Sequence, residues 1–281
     1  MDFCFDTSCI NRLHDDPDRE PLIAGLFISG RVLISAPNVI EAAITECRER
    51  RVSLIQLMNR LARNMRPLRV PTELLRELTA VRSSGKGPTT LNVDVDDGVW
   101  AMLSEPELAD EGARQEAFRW KEGLEKPFVE AHRLARPDFN KLFAPGDRPT
   151  SFGSLLRLYC ENPESHLGSA SNLFQSLTGQ TLTIDTMRSL FAELPQWPLY
   201  LGGWAQGIYA QAIQPENFSP KKNAGTIDLW CAIYLEHCDA MVTNDHAQYD
   251  ALRVLNVLTR REPRAKVLSY EQFRDRYIIA A

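Results

Sequence analysis

Four acidic residues, Asp6, Glu41, Asp228 and Asp245, stand in this sequence where their side chains could do chemistry. Asp6 closes a short apolar run, and Glu41 falls in the first turns after a second such run. Asp228 opens a helical stretch, and Asp245 follows the apolar segment 240–243 after one intervening residue. Taken singly, each has an ordinary structural explanation, since an aspartate is favourable at a helix N-terminus and Asp245 would cap the helix after it. Taken together, four carboxylates gathered at one site repel by about 4 kcal/mol per close pair at an effective dielectric near 20. Protons or a divalent cation must then neutralise them. Oxygen ligands without a Cys or His cluster favour a hard ion, Mg²⁺ or Mn²⁺, which keeps water molecules and accepts phosphate oxygens. Such a centre suits phosphodiester hydrolysis: one metal activates a water, and a second, about 3.5–4 Å away, would stabilise the leaving oxygen.

The elements that would carry these acids are read from hydrophobic spacing. Residues 2–6 form a buried strand running into a loop, and Thr7 or Ser8 caps a short helix from Cys9 to Leu13 before Asp15, Asp16, Pro17 and Asp18 interrupt it. Val32 to Ser35 is a second strand, with Pro37 in the first turn of a helix. From Asn38 onward Ile40, Ala43, Ile44, Cys47, Leu54, Leu57, Met58 and Leu61 recur at helical spacing, which predicts one long helix, or two in line, broken near Val52 and Ser53. Between 65 and 217 the pattern is helical with little strand signal. The predicted helices are Pro71–Arg82, Glu111–Ala135, Ser151–Cys160, Ser169–Leu177, Ile184–Leu194 and Leu199–Ala212. Beyond 218 come a helix Thr226–His237, a strand Ala240–Thr243, a helix His246–Leu255, a strand Lys266–Leu268 and a closing helix Tyr270–Ile278. Strands alternating with helices predict an α/β fold with a parallel sheet flanked by helices. Residues 1–64 and 218–281 build it around an inserted, mostly α-helical lobe, 65–217. In such a sheet, ligand-binding groups gather outside the carboxyl ends of the strands, where all four acids are expected.

Composition narrows the functional classes. The 281 residues carry 32 Lys plus Arg against 37 Asp plus Glu, a net charge of −5, which argues against coating nucleic acid by bulk charge. One local run is basic: Arg48, Arg50, Arg51, Arg60, Arg63, Arg66 and Arg69 face Glu49 alone, and they continue the helix expected to bear Glu41. That run is a candidate for phosphate contact, although an exposed basic face is commonly just solvated. No apolar stretch reaches the roughly 18 residues of a membrane span, and the start lacks a basic-then-apolar leader, so a cytoplasmic protein without membrane contact is expected. Cys4, Cys9, Cys47, Cys160, Cys231 and Cys238 show no zinc-ligand spacing and read as reduced thiols. Ser83 to Thr89 lacks the spacing of a phosphate loop, and Asp94, Asp96 and Asp97 lack the remaining ligands of a calcium loop. His246 could touch a phosphate or act as a base, but a plain helix-start role is the simpler reading. Trp100, Trp120, Trp197 and Trp204 could stack on bases, yet helical tryptophans are more often core anchors, so no RNA-contacting residue is assigned.

The segments Phe5-Asp6-Thr7-Ser8-Cys9-Ile10, Ser35-Ala36-Pro37-Asn38-Val39-Ile40-Glu41, Asp228-Leu229-Trp230-Cys231-Ala232-Ile233 and Met241-Val242-Thr243-Asn244-Asp245 resemble, in this order, those of the PIN-domain ribonucleases, including the VapC-type toxins. The resemblance covers about 130 residues at the two ends. It implies a PIN-like core, an endoribonuclease that cuts single-stranded RNA with Mg²⁺ or Mn²⁺, and a 3′-hydroxyl and 5′-phosphate as products. Asp6, Glu41, Asp228 and Asp245 become the catalytic and metal-holding quartet, supported by Thr7 and by Thr243 or Asn244. The departure is the section of about 150 residues before Asp228, for which the resemblance implies nothing. It is left to bind RNA, pair two subunits as a homodimer, cover the active site, or dock an antitoxin or other inhibitory protein. The alternative from another class is a catalytically inactive PIN-like module that binds RNA or a protein partner.

Overall fold

The structure, a computed structural model, describes residues 1–84, 93–123, 125–126, 151–161, 167–168, 171–172, 175, 181–213 and 230–277. Four strands, β1 (Asp2–Phe5), β2 (Arg31–Leu33), β3 (Ala240–Thr243) and β4 (Lys266–Ser269), form one sheet in the order β2-β1-β3-β4. All three pairings are parallel, with Cys4 opposite Leu33 on one side and Met241 on the other. The fold is therefore α/β, a four-stranded parallel sheet flanked by helices. The order reverses between β1 and β3: the chain leaves β1 for one edge of the sheet and leaves β3 for the other, which opens a crevice beyond their carboxyl ends.

Alternation along the strands divides the core in two. Phe3, Phe5, Val32, Ala240, Val242 and Leu268 point into one hydrophobic cluster. Cys4 and Met241 belong to the other, with Leu33 and Val267 packed against it. The first cluster is covered by α1 (Thr7–Asp15), α2 (Arg19–Ser29), α3 (Ala36–Ala43), α4 (Arg48–Ala62) and α12 (Tyr270–Tyr277). Two helices of the middle section join them, α6 (Val93–Ser104) and α7 (111–123, with 125 and 126 helical beyond it). The opposite cluster takes α5 (Pro71–Ser84), α8 (Phe152–Glu161), α9 (Ile184–Glu193), α10 (Gln196–Ile213) and α11 (His246–Leu255). Helices of the section 65–217 thus share both cores with the sheet.

Several expectations need correction. Asp6, not Thr7 or Ser8, caps α1, whose Cys9 N–H is held by the Asp6 carboxylate. The helix after β2 breaks at 44–47 rather than near Val52 and Ser53, so Glu41 on α3 and the arginines of α4 lie on different helices. The reason is Arg51, which is 1% exposed. Its guanidinium donates to the carbonyls of Thr45 (2.6 Å) and Glu46 (3.3 Å), which the break leaves without helical partners, and to Ala109 (2.8 Å). Helices α2 and α6 were not expected at all; α6 carries Asp94, Asp96 and Asp97 on helical backbone, in keeping with the missing calcium-loop spacing. After Trp230 the chain forms a 3-10 helix, Cys231–Glu236, instead of the end of an α-helix. Of the expected helix Ser169–Leu177 only 171, 172 and 175 are described, and they are helical, while the part of Glu111–Ala135 beyond 126 and the start of the Asp228 helix lie outside the described residues. Among the described residues no helix is long and apolar enough to cross a membrane.

Candidate active site

Asp6 and Asp245 stand at the carboxyl ends of β1 and β3, on the two sides of the crevice where the strand order reverses. Asp6 is buried, 8% exposed, and both its oxygens are used. Oδ1 accepts the Cys9 N–H (2.8 Å), while Oδ2 accepts the hydroxyls of Ser8 (2.6 Å) and Thr243 (2.9 Å). Burial raises its pKa to about 6; the three hydrogen bonds oppose the shift and the charge of Glu41 adds to it. A carboxylate pushed upward in this way against three donors sits in a negative, poorly solvated place.

Thr243 ties the two strand ends together. Its hydroxyl meets Asp6 Oδ2, lies 2.6 Å from Gln248 Oε1, and accepts the Asp245 N–H at 3.0 Å. One hydroxyl has one proton, so with Asp6 ionised that proton goes to Asp6. With Asp6 protonated, Asp6 donates to Thr243 and the hydroxyl turns to Gln248. Asp245 caps α11 by accepting the Gln248 N–H on Oδ1 (2.8 Å), and it is exposed. Asn244 contributes its backbone N–H, which donates to Ser8 Oγ at 3.2 Å.

Glu41 arrives on α3, which begins with a reciprocal Ser35–Asn38 capping box and has Pro37 in its first turn. The Asn38 amide donates to Thr7 Oγ1 (3.2 Å), so the Thr7 hydroxyl joins α1 to α3. Glu41 is paired with Lys121 of α7, Nζ to Oε1 at 3.2 Å. Lys121 also faces Glu125 at 3.7 Å, and burial, with the nearby Glu41 charge, raises the Glu125 pKa against the pull of Lys121.

The structure thus joins Asp6, Thr243 and the Asp245 backbone by direct hydrogen bonds and sets Glu41 close enough for its charge to act on Asp6. Asp228 lies outside the described residues. Among the described residues no three His, Cys, Asp or Glu side chains come together as a metal-holding group. Ser8, Gln248, Lys121 and Glu125 were not anticipated. Ser8 could have been found from its place two residues after Asp6, and Gln248 from its position three residues into a capped helix. Lys121 and Glu125 left no signal, because 80 residues separate Lys121 from Glu41.

The basic run is engaged within the molecule. Arg50 pairs with Asp15 (2.8 Å), Arg60 with Glu20 (2.6 Å), Arg69 with Glu77 (3.2 Å) and Arg48 with Glu107 (3.8 Å). Arg63 lies over the Phe27 ring and Arg66 over the Trp100 ring. Trp197 is 1% exposed and donates to Thr79 (3.0 Å), as a core anchor does. His246 opens α11 and is exposed. No family model, curated protein or solved structure matches the chain.

Proposed function

We propose that the chain is a Mg²⁺- or Mn²⁺-dependent endoribonuclease with a PIN-like core. The observation that carries this reading is the pair of aspartates, Asp6 and Asp245, on either side of the β1/β3 crevice, linked through Thr243, with the charge of Glu41 felt at Asp6. The donor chemistry fits a hard divalent ion, since the side-chain groups hydrogen-bonded around Asp6 and Thr243 are carboxylate, hydroxyl and amide oxygens. Asp6, Glu41, Asp245 and, by the sequence resemblance, Asp228 would hold it. When bound, such an ion supplies an activated water and charge stabilisation at the phosphate. The chain's own part is to fix the donors in advance. Asp6 is locked by three hydrogen bonds, Thr243 keeps the β1 and β3 ends in register, and the Thr7–Asn38 bond sets α3 against α1. As the toxin of a toxin–antitoxin pair, the protein would be encoded beside its inhibitor.

The test is cleavage of labelled single-stranded RNA by the full chain in Mn²⁺, with EDTA and with Asp6→Asn and Asp245→Asn as comparisons. Loss of cleavage by at least about a hundredfold in each is expected for groups that stabilise the transition state electrostatically. Undiminished metal-dependent cleavage in both variants would falsify the assignment. The ion pair of Glu41 with Lys121 favours a second reading, a module that binds RNA or a protein without cutting. RNA retained intact in Mn²⁺ by protein that binds it would decide for that reading.

A further inference from the structure

Lys121 is carried to Glu41 by a well-packed helix. Ala117 of α7 is fully buried, and a Cβ on Gly98 of α6 would lie 2.5 Å from the Trp120 ring, so α6 and α7 touch closely. The Lys121 ammonium stands between two carboxylates, 3.2 Å from Glu41 Oε1 and 3.7 Å from Glu125 Oε1. Glu125 Oε1 is closed off from solvent and has no hydrogen bond. The three side chains are 19%, 19% and 22% exposed, so solvent screens their attraction less than at an open surface. Among the described residues neither Asp6 nor Asp245 has an ion pair, which makes Lys121 the cation that the fold delivers to these acids.

Resting on the metal-dependent reading above, we propose that Lys121 is a built-in counter-ion that holds Glu41 while the site is free of metal and that a divalent ion must displace. The middle section of the chain then sets the metal affinity of the crevice. Glu125 gives the displaced ammonium a place to stay, so loading the site exchanges one partner of Lys121 without stranding a positive charge in a half-buried position.

The experiment uses the EDTA-stripped full chain titrated with Mn²⁺, free ion being followed by its paramagnetic resonance signal. Lys121→Met is expected to bind Mn²⁺ at least tenfold more tightly than wild type, and Lys121→Arg to stay close to wild type. Without metal, Lys121→Met is expected to melt lower, because Glu41 and Glu125 repel, and to recover more than wild type on adding Mn²⁺. Glu125→Gln, which removes the carboxylate that competes with Glu41 for Lys121, is expected to bind Mn²⁺ several-fold more weakly and provides the test if Lys121→Met does not fold. Wild-type binding that Glu41→Gln weakens but that neither Lys121→Met nor Glu125→Gln changes overturns the counter-ion role and leaves the metal reading standing. Absence of Mn²⁺ uptake by every form removes the metal reading, and this inference falls with it.

Discussion

Asp6 performs two tasks that pull its chemistry in opposite directions. As the cap of α1 it satisfies a backbone donor, which favours the ionised form; as a buried group beside Glu41 it is pushed toward the protonated form, from the ordinary 3.8 to about 6. Between those values the folded protein binds more protons than the unfolded chain, so the contribution of Asp6 to stability is fully present at low pH and is lost as pH rises through about 6. The shift corresponds to about 3 kcal/mol. Asparagine caps helices as well as aspartate does. Asp6→Asn should therefore be more stable than wild type at pH 7.5 by up to about 3 kcal/mol, with the difference vanishing toward pH 4. Urea unfolding in EDTA at a series of pH values checks this, and parallel stability curves for the two proteins would show that Asp6 titrates normally. At this scale part was legible: Thr243 joins the Asp6 carboxylate to the Asp245 backbone N–H at the strand ends, as the spacing around apolar runs suggests, while the Asp245 carboxylate caps its own helix and Glu41 is taken by Lys121. Ser8 and Gln248 were not read, because a hydroxyl or amide in the first turn of a helix usually serves the helix itself.

The elements show where local pattern stops being enough. Helix α11 runs His246–Leu255 and the third strand Ala240–Thr243, both as the spacing predicts, since cap, apolar period and strand run agree there. The split between α3 and α4 was misplaced because apolar spacing continues across it, while the group that makes it tolerable, buried Arg51, looks in sequence like one more surface arginine. Helix α2 was missed because Asp15 to Asp18 read as a terminator, whereas the Asp16 carboxylate accepts the Asp18 N–H (2.8 Å) and the Tyr270 hydroxyl (2.9 Å) and its carbonyl accepts the Arg19 N–H (3.1 Å), which ties the turn to α12. The join between α2 and β2 depends on a close approach. A Cβ on Gly30 would lie 1.7 Å from the Met1 carbonyl oxygen, which itself accepts the Arg31 N–H at 2.8 Å. Gly30→Ala is expected to force β1 and β2 apart at their start and to destabilise by about 1–3 kcal/mol. Thermal melting and amide exchange at Arg31 measure it, and an unchanged melting temperature with unchanged exchange would show that the chain start yields without loss.

For the molecule as a whole, the division of the core by the sheet decides what the middle section is worth. The face bearing Cys4 and Met241 is covered largely by α5, α8, α9 and α10, all from within 65–217. Joining 64 to 218 through a short linker is expected to give a chain that does not fold cooperatively, because buried Tyr234, Met241 and Leu252 would lose that cover. Near-ultraviolet circular dichroism and size exclusion would test this, and a compact monomer with a sharp melt would contradict it. The double duty of the middle section was not legible, since helical spacing shows that a face is apolar and not which face of a sheet it meets. The same holds for the arginines of 48–69: their charge could be counted, but their partners Asp15, Glu20, Glu77 and Glu107 lie far off in sequence. The short outer strands have a different consequence. Strand β2 has three residues and β4 has four, and the chain just past β2 is bridged by Leu68, which exchanges hydrogen bonds with Ile34 and Ala36. Among the described residues neighbouring copies thus meet only three- and four-residue edges of open backbone, a short template that guards the sheet against fibrillar association.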